Sequence, residues 1–230
     1  MAIQQLLMMG TQSFGRTTIS GELWAWGYNN VGQLGLGNTT TSHNSHLQVG
    51  SLTDWQNNIA GGGVTPSVYC VKSDGTLWAW GSNSAGKLGL GDTTNRSSPT
   101  QIGSDTDWKE VGNGVPGGNS AIKTDGTLWS WGSNWHATLG DGTETDTSSP
   151  IQIGSDTDWG HIVAYQGNVH YMCAATKTDG TLWWWGSDTT QSGYRNDNSS
   201  PTQIGSDSDW TDVIGFAYQH NGTCYAIKEA

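Results

Sequence analysis

Clustered positive charge is missing from this chain. In 230 residues only 9 Lys and Arg stand against 20 Asp and Glu, a net charge of −11. Nucleic acids and anionic membranes are bound by clustered cations that replace counterions, so neither is an expected partner. Cysteine is scarce: Cys70, Cys173 and Cys224 are odd in number and far apart, which argues against a disulfide framework. Reduced, buried thiols fit synthesis in a cytosol. No Cys-x-x-Cys or Cys/His cluster points to zinc, and no Asp-x-Asp-x-Asp-Gly loop points to calcium, so no metal or cofactor is expected. No stretch nears the roughly 18 apolar residues of a membrane helix. The opening MAIQQLLMMG lacks a basic n-region, so a soluble product without membrane insertion is expected.

Glycine and tryptophan are abundant instead, 34 and 14 residues against 2 Phe. The tryptophans fall in a repeated passage: SGELWAWG (Ser20–Gly27), DGTLWAWG (Asp74–Gly81), DGTLWSWG (Asp125–Gly132) and DGTLWWWG (Asp179–Gly186). Set in register at Gly21, Gly75, Gly126 and Gly180, the copies are 54, 51 and 54 residues apart. A second marker, TDW or SDW, ends at Trp55, Trp108, Trp159 and Trp210. Fixed periods of this size signify a repeat architecture. The repeats are 21–74, 75–125, 126–179 and 180–230, and residues 1–20 form an arm outside them.

Within a repeat, AIKTDGTLWSWG reads as two short strands about an Asp-Gly turn. The glycine-rich stretch after it is a loop, and SPTQIG and DWKEV supply two more strands. No segment keeps a 3.6-residue apolar period. Four short strands per unit of about 50 residues describe a β-propeller blade. The acidic runs SDTDW are read as caps of turns between strands. The twelve repeat-locked tryptophans are read as packing between blades.

The pattern GTLWAWGSNSAGKLGLGD followed by SPTQIG resembles the repeat of the regulator of chromosome condensation family, which consists of β-propellers. The resemblance covers about 210 of 230 residues. It implies an all-β propeller of four repeats, whereas the family's best-known members have seven blades. Nucleotide exchange belongs to those members, and no inserted wedge suited to it is present here. The chain ends in YAIKEA (Tyr225–Ala230), which aligns with SAIKTD (Ser120–Asp125), and the following G-T-L-W has its counterpart at Gly21–Trp24. Pairing of these terminal strands is expected to close the ring. A head-to-tail ring of two or more chains is the alternative. Thr17–Ser20 is a competitor for the edge of Leu23–Trp26.

Catalytic patterns are absent. There is no nucleophile elbow, P-loop or His-Glu-x-x-His, and none of the six histidines recurs in all four repeats. A non-enzymatic protein is expected. Local function should lie where the repeats differ. The loops GYNNVGQLGLG and GSNSAGKLGLG agree, but the third reads GSNWHATLGDG and the fourth GSDTTQSGYRN. These bring in Trp135, His136, Tyr194 and Arg195, and Trp184 replaces the small residue of Ala25, Ala79 and Ser130. Tyr165 and Tyr218 recur in a shared Ala-Tyr-Gln. Aromatic faces beside hydrogen-bonding groups suit a glycan or protein partner, and repeat drift is the competing explanation.

In the arm, Ile3, Leu6 and Leu7 have helical spacing, and Met8 and Met9 extend the apolar surface. A helix this short needs a surface to dock on, and methionine suits an adaptable interface. This opening resembles the start of small structural proteins of marine bacteriophages. The resemblance implies a virion component made in the host cytoplasm and present in many copies. It would dock through its leader on a capsid or tail protein and display the propeller for shell reinforcement or adhesion to a host glycan or receptor. A free lectin or adaptor is the alternative.

Overall fold

The structure is a computed structural model that describes residues 19–40, 42–61, 66–112, 118–166, 171–189, 195–216 and 223–228. Its local logic begins at the Asp-Gly-Thr-Leu-Trp motif. Asp125 Oδ1 accepts hydrogen bonds from the Thr127 backbone N–H at 3.0 Å and from Thr127 Oγ1 at 2.7 Å. Thr127 Oγ1 in turn accepts from Trp129 Nε1 at 2.8 Å. The same chain links Asp74, Thr76 and Trp78, and again Asp179, Thr181 and Trp183. It holds the Asp125 carboxyl below the usual carboxylate range, chiefly through the Thr127 side chain. The glycine is demanded by conformation and space. Gly75, Gly126 and Gly180 have φ of +78°, +79° and +80°, and a Cβ there would lie 2.1 Å from the carbonyl oxygens of Thr106, Thr157 and Ser208. Each Asp-Gly turn therefore nests against the next acidic turn.

The strands assemble into antiparallel sheets. In the order of hydrogen bonding, one blade is β4 (Trp55–Gly61), β5 (Ser67–Lys72), β6 (Leu77–Gly81) and β7 (Arg96–Gln101). The second is β8 (Trp108–Val111), β9 (Gly118–Lys123), β10 (Leu128–Gly132) and β11 (Thr147–Gln152). The third is β12 (Trp159–Gln166), β13 (Tyr171–Lys177), β14 (Leu182–Thr189) and β15 (Arg195–Gln203). Blade and sequence repeat are out of phase: repeat 75–125 contributes β6 and β7 to one blade and β8 and β9 to the next.

Joints between blades share one device. Trp131 of β10 is fully buried, and its Nε1 donates to the Lys87 carbonyl at 2.8 Å. Its ring lies against Gly89, where a Cβ would come within 2.9 Å. Trp80 sits likewise on Gly35 and donates to Gln33 O at 3.0 Å; Trp185 sits on Gly140 and donates to Thr138 O at 3.0 Å. One indole per joint thus plugs into the loop of the preceding repeat. The tryptophan of each acidic turn meets it edge-on, as Trp108 does with Trp131 at 6.2 Å between ring centres.

A buried lysine completes each blade. Lys123 Nζ lies 4.9 and 4.8 Å from the ring centres of Trp108 and Trp129, and binds Asp105 at 2.7 Å and Asp107 at 3.1 Å. Lys177 repeats this with Trp159, Trp183, Asp156 and Asp158. Lys72 has Trp55, Trp78 and Asp54, because Leu52 stands where the other repeats carry the first Asp. Burial pushes the Lys123 ammonium down, but the two carboxylates outweigh it and hold it above its ordinary range. The acidic runs expected to cap turns thus carry carboxylates that neutralise a lysine some 18 residues further along the chain.

The remaining strands lie at the two ends of the described chain. β2 (Trp24–Tyr28) pairs with β3 (Ser42–Gln48), and β16 (Trp210–Phe216) pairs with β17 (Thr223–Lys228). By repeat position these are the two halves of a fourth blade. The pairing of β17 with β2 expected from the sequence is not among the described pairings. Nor does Ser20 turn back on Leu23–Trp26: β1 (Ser20–Gly21) pairs with Trp55 and Gln56 of β4. The reason is repeat geometry, since Gly21 takes towards Trp55 the place that Gly75 takes towards Trp108.

Candidate functional site

The loop after β10 is built on a buried asparagine. Asn134 Oδ1 accepts from the Leu139 N–H at 3.0 Å, and its Nδ2 donates to Asp141 Oδ1 at 2.9 Å and Thr143 O at 3.0 Å. Asn83 binds Leu88 and Asp92 in the same way, and Asn29 binds Leu34 and Asn38. The scaffold is constant, so only the tip varies. In the second repeat the tip is a 3-10 turn of Ser84, Ala85 and Gly86; in the third it is Trp135, His136 and Ala137.

That substitution carries strain. His136 and Ala137 have φ of +64° and +56°, where the second repeat has Ala85 and Gly86 at +57° and +70°. The left-handed region costs a side-chain-bearing residue about 1–2 kcal/mol, and two in succession persist only where the surroundings enforce them. Trp135 is 61% exposed and stacks on His136, ring centres 4.4 Å apart and planes 28° from parallel. His136 itself is buried. The turn thus holds one large aromatic face out to solvent on a pinned base.

The turn packs against β14 and β15 of the following blade. Trp184 lies on β14, half-buried, opposite Ala174. Arg195 opens β15 opposite Thr189; its side chain lies outside the described residues. Trp135, His136, Trp184 and Arg195 are therefore placed on adjoining elements of one joint. Tyr165 is on β12 opposite Met172, and its side chain also lies outside the described residues. Tyr194 and Tyr218 fall outside them altogether, as do the arm residues Ile3, Leu6, Leu7, Met8 and Met9.

Other polar features serve the framework. His161 Nδ1 meets Glu110 Oε2 at 3.1 Å across the joint from β8 to β12, and the Glu110 hydrogen bond raises the imidazole above its ordinary value despite partial burial. Sequence reading missed this pair because its members lie 51 residues apart at positions where the other repeats differ. Cys70 and Cys173 are buried, and burial pushes the Cys70 thiol up to about 12, far from nucleophilic use. A cleft of about 290 Å³ is lined by Trp108, Trp129, Ile102, Ser149 and Pro150, all framework positions. Among the described residues no three His, Cys, Asp or Glu converge as a metal site, and no helix is long and apolar enough to cross a membrane.

The pattern of the regulator of chromosome condensation (RCC1) repeat matches residues 20–57, 74–114 and 125–166, more than half of the chain. The chain belongs to this family of repeat propellers. It is similar to human E3 ubiquitin-protein ligase HERC2, 30% identical over 74% of this chain and 4% of that protein. It is also 30% identical to the Arabidopsis thaliana ultraviolet-B receptor UVR8, over 81% of this chain and 42% of the receptor. Among solved structures, Prp20p of Saccharomyces cerevisiae superposes with a TM-score of 0.70 at 18% identity, over 93% of this chain and 54% of Prp20p. The chain spans less than half of the curated relatives named and about half of the solved propeller. Propellers of this kind engage protein partners: Prp20p binds Gsp1p and histones.

Proposed function

We propose that this chain is a non-enzymatic protein-interaction propeller carried in multiple copies on a bacteriophage particle. It docks on a capsid or tail protein through residues 2–10 and presents the third-repeat rim outward. The observation that carries the interaction reading is the Trp135–His136 turn, an exposed aromatic face kept on a rigid loop in a strained backbone. The second repeat shares one left-handed side-chain-bearing residue, Ala85, but the third adds another, Ala137, where the first two repeats have Gly32 and Gly86, and this added strain supports selection for a contact rather than for packing. The virion assignment is supported by the resemblance of the leader. A large aromatic face beside polar groups also suits a sugar, so a free carbohydrate-binding propeller is the second reading.

The test is gradient purification of particles from an infected culture, followed by mass spectrometry of the particle band. The full chain is expected in the band in stoichiometric amount. A chain lacking residues 2–10 is expected to leave it while keeping its circular dichroism. A full chain that stays in the soluble fraction overturns the virion reading. In that case glycan-array binding that is lost in Trp135→Ala supports the second.

A further inference from the structure

The split blade leaves two orphans that match each other. In the three complete blades a lysine is sandwiched between two tryptophans: Lys72 between Trp55 and Trp78, Lys123 between Trp108 and Trp129, Lys177 between Trp159 and Trp183. Lys228 at the end of β17 has the same pair of carboxylates, Asp207 at 2.9 Å and Asp209 at 3.0 Å, but among the described residues only one ring, Trp210 at 5.6 Å. The ring missing by repeat position is Trp24. On β2, Trp24 is 44% exposed, and its Nε1 reaches the local Glu22 rather than a threonine of an Asp-Gly-Thr turn. Beside it Trp26 is 66% exposed, although its counterparts Trp80, Trp131 and Trp185 are all buried. Ile227 of β17 is exposed as well.

Among the described residues these two edges do not pair with each other. The joints between the complete blades share one device, an indole on a glycine with no room for a Cβ, so the same geometry recurs from joint to joint. Along 93% of its length the chain superposes on 54% of a solved propeller chain, about half of it. Each edge is therefore open to a partner, and by repeat position β2–β3 is a half-blade complementary to β16–β17.

We propose that two copies of this chain join head to tail into one closed ring, β17 of each copy pairing with β2 of the other and seating Trp24 of one over Lys228 of the other. The repeat register, in which Tyr69 faces Ala79 and Ser120 faces Ser130, sets Tyr225 opposite Ala25 and Ala226 opposite Trp24. An interface of this heterologous kind ends in a ring when the arcs sum to a full turn. It also removes two exposed strand edges that would otherwise template aggregation.

The test combines mass with a directed cross-link. Light scattering of the full chain is expected to give twice the 24.5 kDa of one chain. Trp24→Ala is expected to shift the mass to one chain with unchanged circular dichroism in the strand region. Directly paired Cα atoms lie about 4.5–5.5 Å apart, within disulfide reach. In a Cys224→Ser background, a chain carrying both Ala25→Cys and Tyr225→Cys is therefore expected to run as a covalent two-chain species without reductant. A single-chain mass for the full chain, an internal disulfide within one chain, or a mass growing without limit with concentration overturns the proposal.

Discussion

At the scale of the residue, the repeated glycines and lysines are structural and their effects can be ordered. Gly126→Ala places a methyl group on the Thr157 carbonyl at positive φ and is expected to destabilise by about 1–3 kcal/mol in urea unfolding. Gly21→Ala is expected to be nearly silent, because Gly21 is not in the left-handed region and a Cβ there meets nothing within 4 Å. Lys123→Ala opens a gap between Trp108 and Trp129 and leaves Asp105 and Asp107 facing one another. Both carboxylates are about half exposed, so the cost is expected near 1–3 kcal/mol rather than that of a fully buried pair. The motif residues were legible in the sequence because turn chemistry is local: Asp-Gly-Thr bonds span only two residues. The lysine cages were not, since Lys123 and Asp105 meet only once β8 and β9 are paired.

At the scale of the element, strands and loops were legible from composition, while their assignment to blades was not. Repeats begin at Gly75 and Gly126, but hydrogen bonding cuts the first of these between β7 and β8 and the second between β11 and β12, and sequence periodicity is indifferent to where a period starts. The divergence of the third loop was visible in Trp135 and His136, whereas the Asn134 scaffold beneath them was not singled out, although Asn29, Asn83 and Asn134 recur at one repeat position, because sequence does not show which backbone groups an amide side chain reaches. Joints between elements also carry a pH response. The His161 imidazole is raised by Glu110 in the folded state, so the pair contributes fully below the unfolded value of about 6.5 and its contribution is lost as pH rises through the higher folded value. The thermal midpoint is expected to fall between about pH 5.5 and 8 by more in the native chain than in His161→Gln, as differential scanning fluorimetry would show.

At the scale of the molecule, identical joints repeat along the chain, and in the proposed reading the variable tips carry specificity. Three complete blades share one indole lock, one acidic turn and one caged lysine, so that reading looks for function where the repeats depart from each other. Trp135→Ala is accordingly expected to leave the unfolding midpoint within error, since the ring is mostly exposed, while weakening partner capture at least tenfold. The expectation of a propeller of four repeats was legible because the period is written in the tryptophans. How its ends are satisfied was not, because β2 and β17 carry the same residues whether their partner is the same chain or another. Hydrogen exchange of the native chain in solution, read strand by strand, tests this account most directly. If the split blade is completed, amides of Trp26 and Ala226 exchange as slowly as their counterparts Trp80 and Ala121 in the complete blades. Exchange at the rate of open strand edges would contradict it.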